Sequence, residues 1–396
     1  MWLNGRKQTP QQKKPAKKAD TPLRFGGREH TNVRTLAHAF NRNIPEAARM
    51  LRDETFQAWL RRTEDDKLAD TLKGIVDSAT FQKDSWQGSE EYLVSRACIA
   101  LDPRGPLRYK GYAFVPDGIG PVIAFELIRN GNAQVPIEIV NRDVHQLWLN
   151  DKPAYGEAMN VTRQFAQIKM WLSSDDPGMG IERCLYELNP GIPCQSEIVL
   201  EQGVFEIADL LPALDLAAND SDPKSKPIDR HITAFIASRF NEDIAPHLRA
   251  ISSRREDTSL IGMLSLYAFL QWKLRTEPVF GLASWIGGLL GPAINGYHNR
   301  ATRREMEKEI PRLVRRGSLP DLFDLIDNAE KRREDQEGYA EALAEFTAAT
   351  EEAREIEGNG TELIEKAVKT GQKSAAMVSV LITMMAVSII FIVEVW

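Results

Sequence analysis

Residues 374–393 read SAAMVSVLITMMAVSIIFIV, with no charge, glycine or proline in twenty positions. At about 1.5 Å per residue, a helix of that length matches a hydrocarbon core of roughly 30 Å. The pattern predicts one transmembrane helix near the C-terminus. Lys366, Lys369 and Lys373 stand just before the run, and Trp396 follows it at interfacial depth. Positive charge is retained on the cytoplasmic side. The expected location is therefore an inner (cytoplasmic) membrane crossed once, with the N-terminal bulk in the cytoplasm and Glu394–Trp396 outside.

A second uncharged run, PVFGLASWIGGLLGPAINGY at 278–297, has the same length but is broken by Gly281, Gly287, Gly288, Gly291, Pro292 and Gly296. Its composition suits a close-packed core, with a re-entrant or membrane-surface segment as the alternative. Elsewhere apolar residues recur at helical spacing. Ile44–Leu60 gathers Ala47, Leu51, Ala58 and Trp59 near one face, and Leu68–Ile75 continues the pattern. Further helices are expected near 230–252, 258–275, 300–316, 319–333 and 336–357, with the Glu-Gly-Asn-Gly at 357–360 as a break. Thr361 would then cap the helix that enters the membrane. Short extended pieces are expected at Leu107–Val115 and Pro121–Leu127.

An internal repeat organises the first half. Phe56-Gln-Ala-Trp59-Leu60 returns as His145-Gln-Leu-Trp148-Leu149, and Leu101-Asp102-Pro103 returns as Leu188-Asn189-Pro190. The offsets are 89 and 87 positions, so the two matches keep their order and nearly their spacing. The tryptophans read as packing anchors, and the residue before each proline stops the preceding helix. Two such units would stack as a short array. The expected fold is mainly α: a basic disordered tail over 1–28, helical repeat units over 29–117 and 118–218, a linker over 219–229, a helical membrane-proximal domain over 230–357, and a juxtamembrane and transmembrane helix over 361–396.

Composition changes this picture little. Of 396 residues 43% are hydrophobic and 27% charged, which is ordinary for a folded chain, and the net charge of −6 names no partner. The tail is different, since Arg6, Lys7, Lys13, Lys14, Lys17, Lys18 and Arg24 face only Asp20. Residues 6–24 could contact anionic lipid at about 1 kcal/mol per basic residue. Nucleic acid is not expected, because no aromatic-basic interleaving accompanies the charge. Cys98, Cys184 and Cys194 form no CxxC pair and suit a reducing compartment.

Candidate chemistry is sparse. Gly118-Ile-Gly120 and Gly178-Met-Gly180 lack the third glycine of a dinucleotide loop, and both read as turns. The six histidines are dispersed, and His145 fills the place held by Phe56 in the other unit. Asp321, Asp324 and Asp327 read as the solvated face of an apolar helix. Asn141-Arg142-Asp143 imitates part of a kinase catalytic loop, but Trp148 stands where its asparagine belongs. No catalytic, cofactor-binding or metal-ligating residue is assigned. Trp59, Trp148, Arg96 and Arg183 hold matching places in the two units and are the candidates for partner binding or repeat packing.

Leu282-Ala283-Ser284-Trp285, Gly291-Pro292-Ala293, Tyr297-His298-Asn299-Arg300, Leu325-Ile326-Asp327-Asn328 and Asp335-Gln336-Glu337-Gly338-Tyr339 resemble the non-catalytic C-terminal region of proteobacterial serine/threonine kinase-like membrane proteins. The repeat resembles helical units appended to bacterial Hsp70-like and kinase-like proteins. No kinase glycine loop, strand lysine, HRD or DFG element is present, so no catalytic residue carries over. The resemblance implies an accessory role in bacterial signalling or protein quality control. The leading expectation is a membrane-anchored interaction or scaffold protein with protein partners and no cofactor. The alternatives are an enzyme whose site forms between the repeats and the C-terminal domain, and a membrane-remodelling or pore-forming protein using 278–297.

Overall fold

The computed structural model describes residues 18–63, 66–152 and 155–395. Most of the expected tail and Trp396 lie outside them. The described chain is mainly α-helical, with two short β-hairpins and one long apolar C-terminal helix.

The first unit opens with an antiparallel hairpin, β1 (Leu23–Phe25) and β2 (Arg28–His30). Gly26 and Gly27 at its turn have φ of 56° and 72°, a conformation in which only glycine avoids a steric cost. Five helices follow: α1 (Val33–Phe40), α2 (Ile44–Leu51), α3 (Glu54–Thr63), α4 (Asp66–Phe81) and α5 (Glu90–Leu101). The second unit repeats that order with β3 (Leu107–Tyr109), β4 (Tyr112–Phe114), α6 (Ile119–Asn130), α7 (Gln134–Asn141), α8 (Val144–Asn150), α9 (Ala158–Leu172) and α10 (Ile181–Leu188). Each unit has its own apolar core.

The hairpins correct two expectations. Residues 23–30 are ordered, with Phe25 buried, so the tail does not extend to 28. The hairpin 107–114 packs into the second core, so the second unit begins before 118. The expected strand at Pro121–Leu127 is the middle of α6. Pro121 falls in the first turn, where its missing N–H has no intrahelical partner to lose, and Gly131 at φ 64° ends the helix. The expected helix over 44–60 divides at Arg52-Asp53, because the Asp53 carboxylate accepts the Thr55 N–H at 2.8 Å and starts a new N-terminus.

A third and larger core takes in Leu185, Tyr186 and residues 194–326. It is built from α11 (Leu210–Ala217), α12 (Arg230–Arg239), α13 (Ala245–Ile251), α14 (Glu256–Leu274), α15 (Phe280–Leu289), α16 (Gly291–Asn295), α17 (Arg300–Val314) and α18 (Leu319–Ile326). The segment 219–229 does not separate two cores, since buried residues on both sides of it share this one. Its backbone instead satisfies buried donors. Trp285 Nε1 donates to the Ser225 carbonyl at 2.8 Å, and the buried Tyr267 hydroxyl donates to the Pro227 carbonyl. Asp229 caps α12 by accepting the Ile232 N–H at 2.8 Å. The uncharged 278–297 run forms α15 and α16 with Leu282, Trp285, Ile286 and Ile294 buried, as the close-packed reading requires. The helix expected over 230–252 breaks before Pro246, where Asp243 accepts the Ala245 N–H.

Trp59 and Trp148 occupy equivalent places. Each indole N–H donates to the carbonyl two residues before its hairpin's leucine, Thr21 at 2.8 Å and Gly105 at 2.9 Å. Each therefore fastens α3 or α8 to the entry of its hairpin. Phe56 stacks on Trp59, whereas His145 stacks on Phe165 at 3.8 Å and is 2% exposed.

Burial pushes the His145 pKa down to about 4, the pull of Asp143 notwithstanding. Between pH 6.5 and about 4 the unfolded chain takes up a proton that the folded chain refuses, so stability falls as pH falls through that window. His145→Phe, which installs the residue of the first unit, removes this term. In melts followed by circular dichroism, the variant should gain on the native protein by about 3 kcal/mol between pH 7.5 and pH 4.

Candidate functional site

The last helix, α19, runs from Ala329 to Val395, 67 residues without a break. The expected interruption at 357–360 and the cap at Thr361 are not realised. Two glycines and an asparagine inside a helix cost about 1 kcal/mol each or less, and uninterrupted backbone hydrogen bonding on both sides carries the helix through. Nor does the chain break near 334–335. The break falls at Asp327-Asn328, where the Asn328 side chain accepts the Lys331 N–H at 2.9 Å.

The first turns of α19 touch the body through polar and aromatic contacts. Asp335, 8% exposed, accepts the backbone N–H groups of His298 at 2.8 Å and Asn299 at 2.6 Å. Those donors lie at the N-terminus of α17, where the helix dipole favours a carboxylate. Around this contact, Lys331 meets Glu305 at 2.9 Å and Arg332 meets Asp327 at 2.6 Å. The Arg332 guanidinium lies 5.2 Å from the Tyr297 ring centre, and the Tyr297 hydroxyl donates to the Ile326 carbonyl. Tyr339 closes the joint by stacking on His298 at 3.9 Å.

Beyond Tyr339 the helix projects away. A window within Glu362–Ile392 is long and apolar enough to cross a membrane, and none of it is buried. Residues 374–393 include ten Leu, Ile, Val or Phe. Each favours insertion by roughly 0.3–0.6 kcal/mol, about 3–6 kcal/mol together, with no buried charge to oppose them. Lys366, Lys369 and Lys373 are exposed beside that segment. From Ala340 to Lys373 the helix would stand roughly 50 Å long.

The other residues singled out by sequence fall elsewhere. Trp59 and Trp148 are buried fasteners inside their units. Arg96 is half-buried on α5 with its guanidinium 5.7 Å from the Tyr92 ring centre. Arg183 lies on α10, 2.5 Å from Glu187, and burial lowers its pKa ahead of that carboxylate's pull. Sequence reasoning passed over Trp272, the one exposed tryptophan among the described residues, at 64%. It borders a shallow concavity lined by Gln271, Arg275, Pro278, Gly317 and Pro320. Gln271 holds this wall by donating to the Gly317 carbonyl and accepting the Leu319 N–H. α14 is apolar on nearly every face, so helical spacing could not single out Trp272 as exposed.

Among the described residues no three His, Cys, Asp or Glu gather as a metal site. Burial pushes the thiols of Cys98 and Cys184 up to about 12 and that of Cys194 to about 11, which keeps them protonated and unreactive. No protein-family model, curated protein or solved structure matches the chain.

Asp335→Ala removes both hydrogen bonds to the His298 and Asn299 N–H groups, at about 0.5–1.5 kcal/mol each. With spin labels on Glu307 and Glu345, the distance distribution by pulsed EPR should broaden in this variant. An unchanged distribution would show that the joint does not depend on the carboxylate.

Proposed function

We propose that this chain is a membrane-tethered interaction protein that holds its repeat array and helical domain at a set height above a bilayer. The observation that carries the reading is a fully exposed apolar segment on the same unbroken helix that Asp335 docks to the body. A tether of this kind raises the effective concentration of whatever the body binds near the membrane, without new contacts. The lysines at 366, 369 and 373 favour a cytoplasmic body and one crossing of an inner membrane. A bacterial signalling or quality-control setting follows from the family resemblance and belongs to the same proposal.

For the partner contact, Trp272 suits the reading better than Trp59 or Trp148. An exposed indole beside a concavity is the type of residue that dominates protein interfaces, while the other two are consumed by packing. Most apolar side chains of 278–297 are buried, with Phe280 at 54% the large exception, which favours a packed segment over membrane remodelling.

Removing residues 374–396 should move the chain from carbonate-washed membranes to the soluble fraction, with its circular dichroism spectrum otherwise preserved. Continued membrane association would defeat the single-anchor reading. For the partner surface, Trp272→Ala should weaken binding of proteins crosslinked to the native chain by at least tenfold, at unchanged melting temperature. An identical crosslinking pattern would remove Trp272 from the proposal.

A further inference from the structure

Between the joint and the bilayer, α19 carries an apolar stripe that nothing covers. Tyr339, Leu343, Phe346 and Ile364 are each 47–70% exposed. These residues fall on one heptad register in which Tyr339 and Phe346 take d, and Leu343 and Ile364 take a. Ala353 and Ala367 continue the d positions, and the register passes unbroken into the apolar segment through Val378, Leu381, Met385 and Ile392. From 339 to 371 four of the ten a and d positions hold large apolar side chains, and Thr350, Ala353, Glu357, Gly360, Ala367 and Gly371 fill the others, so the seam is a few bulky anchors set among small residues.

The charges obey the same register. From Ala340 to Lys373 there are eight carboxylates and four basic side chains, and ten of these twelve stand at b, c or f. The exceptions are Glu357 at an a position and Arg354, one turn before it at e. A helix that merely needed solubility would scatter its charges around the axis. Apart from Glu357 and Arg354, the a, d, e and g face from Ala340 to Lys373 is uncharged, with Ala340, Ala342, Thr347, Ala349 and Val368 flanking the seam.

We infer that this stalk pairs in parallel and in register with the stalk of a second copy of the same chain. The inference rests on the membrane-anchored reading above, and three observations select this occupant. Identical copies anchored in one bilayer arrive with the same polarity and height, so corresponding heptads are already level. Like-charged copies repel unless their carboxylates leave the contact, and seven of eight have left it. The body leaves the stripe uncovered, since Leu343, Phe346 and Ile364 are each half or more exposed. Glu357 is a polar seam residue, which weakens a coiled coil but fixes its register. Gly360 and Gly371, at d and a, let the backbones approach closely just before the bilayer.

The test uses the full chain in membranes, with single cysteines added at Ala348, Glu352 and Ala353. The native thiols are buried, so each new cysteine reports its own position. Ala353→Cys, at d, should form a covalent dimer under mild oxidation at least tenfold faster than Ala348→Cys or Glu352→Cys, at f and c. The double variant Leu343→Glu with Phe346→Glu should abolish that preference. Equal rates at all three positions, or no dimer from the membrane-bound chain, would overturn the pairing. A covalent product with a different protein at Ala353→Cys would do the same. If the variants leave the membrane fraction altogether, the anchored reading has failed instead, which fractionation of the same samples reveals.

Discussion

Two backbone N–H groups at the start of α17 need partners, and the carboxylate of Asp335 supplies both. Without it, the long helix would meet the body through rim ion pairs, which are worth little in water, the Arg332–Tyr297 contact and the single Tyr339–His298 stack. The charged contacts of Lys331 and Arg332 are of that kind and only steer the helix. A buried carboxylate on paired donors is different, because breaking it strands polar groups away from solvent. The direction of the stalk relative to the body is therefore set by a contact spanning a few residues of each helix.

The same economy recurs along the array. Asp102 ends α5 and receives the Arg108 guanidinium at 2.7 Å from the next hairpin. Asn189 ends α10 and donates to the Gly120 carbonyl, while Arg239 of the third core donates to the carbonyls of Tyr186 and Pro190. Asn41 donates to the Tyr112 carbonyl and accepts the Gly111 N–H, joining α1 to the second hairpin. Each boundary between cores is thus crossed by hydrogen bonds from residues that also end or follow a helix. The three cores can be expected to move as one body rather than as beads.

Much of this was legible in the sequence, and what was missed has identifiable causes. The transmembrane run and the Trp-Leu repeat are strong because they rest on length and spacing, which tertiary context rarely alters. The hairpins were weaker signals. Three-residue strands leave no alternation to read, although Gly26-Gly27 and the shared Leu-Arg-aromatic openings of 23–25 and 107–109 mark both. The segment 219–229 looked like a linker because polar, proline-containing composition describes a surface strap equally well. Its carbonyls serve Trp285 and Tyr267, a relation between distant residues that no local pattern records. The 357–360 break failed for the opposite reason. Helix propensity argues residue by residue, whereas a long helix is cooperative. Arg96 and Arg183 matched in sequence but carry different contacts, so repeat position alone did not make them a site.

Under the membrane-anchored proposal, an unbroken helix between body and bilayer fixes an azimuth as well as a height. Each residue of α19 turns the chain by about 100°, so one residue added anywhere in 340–373 would swing the body around the membrane normal by that angle. Seven added residues would restore its bearing to within about 20° and lift it by roughly 10 Å. Phase, more than length, is what the stalk transmits.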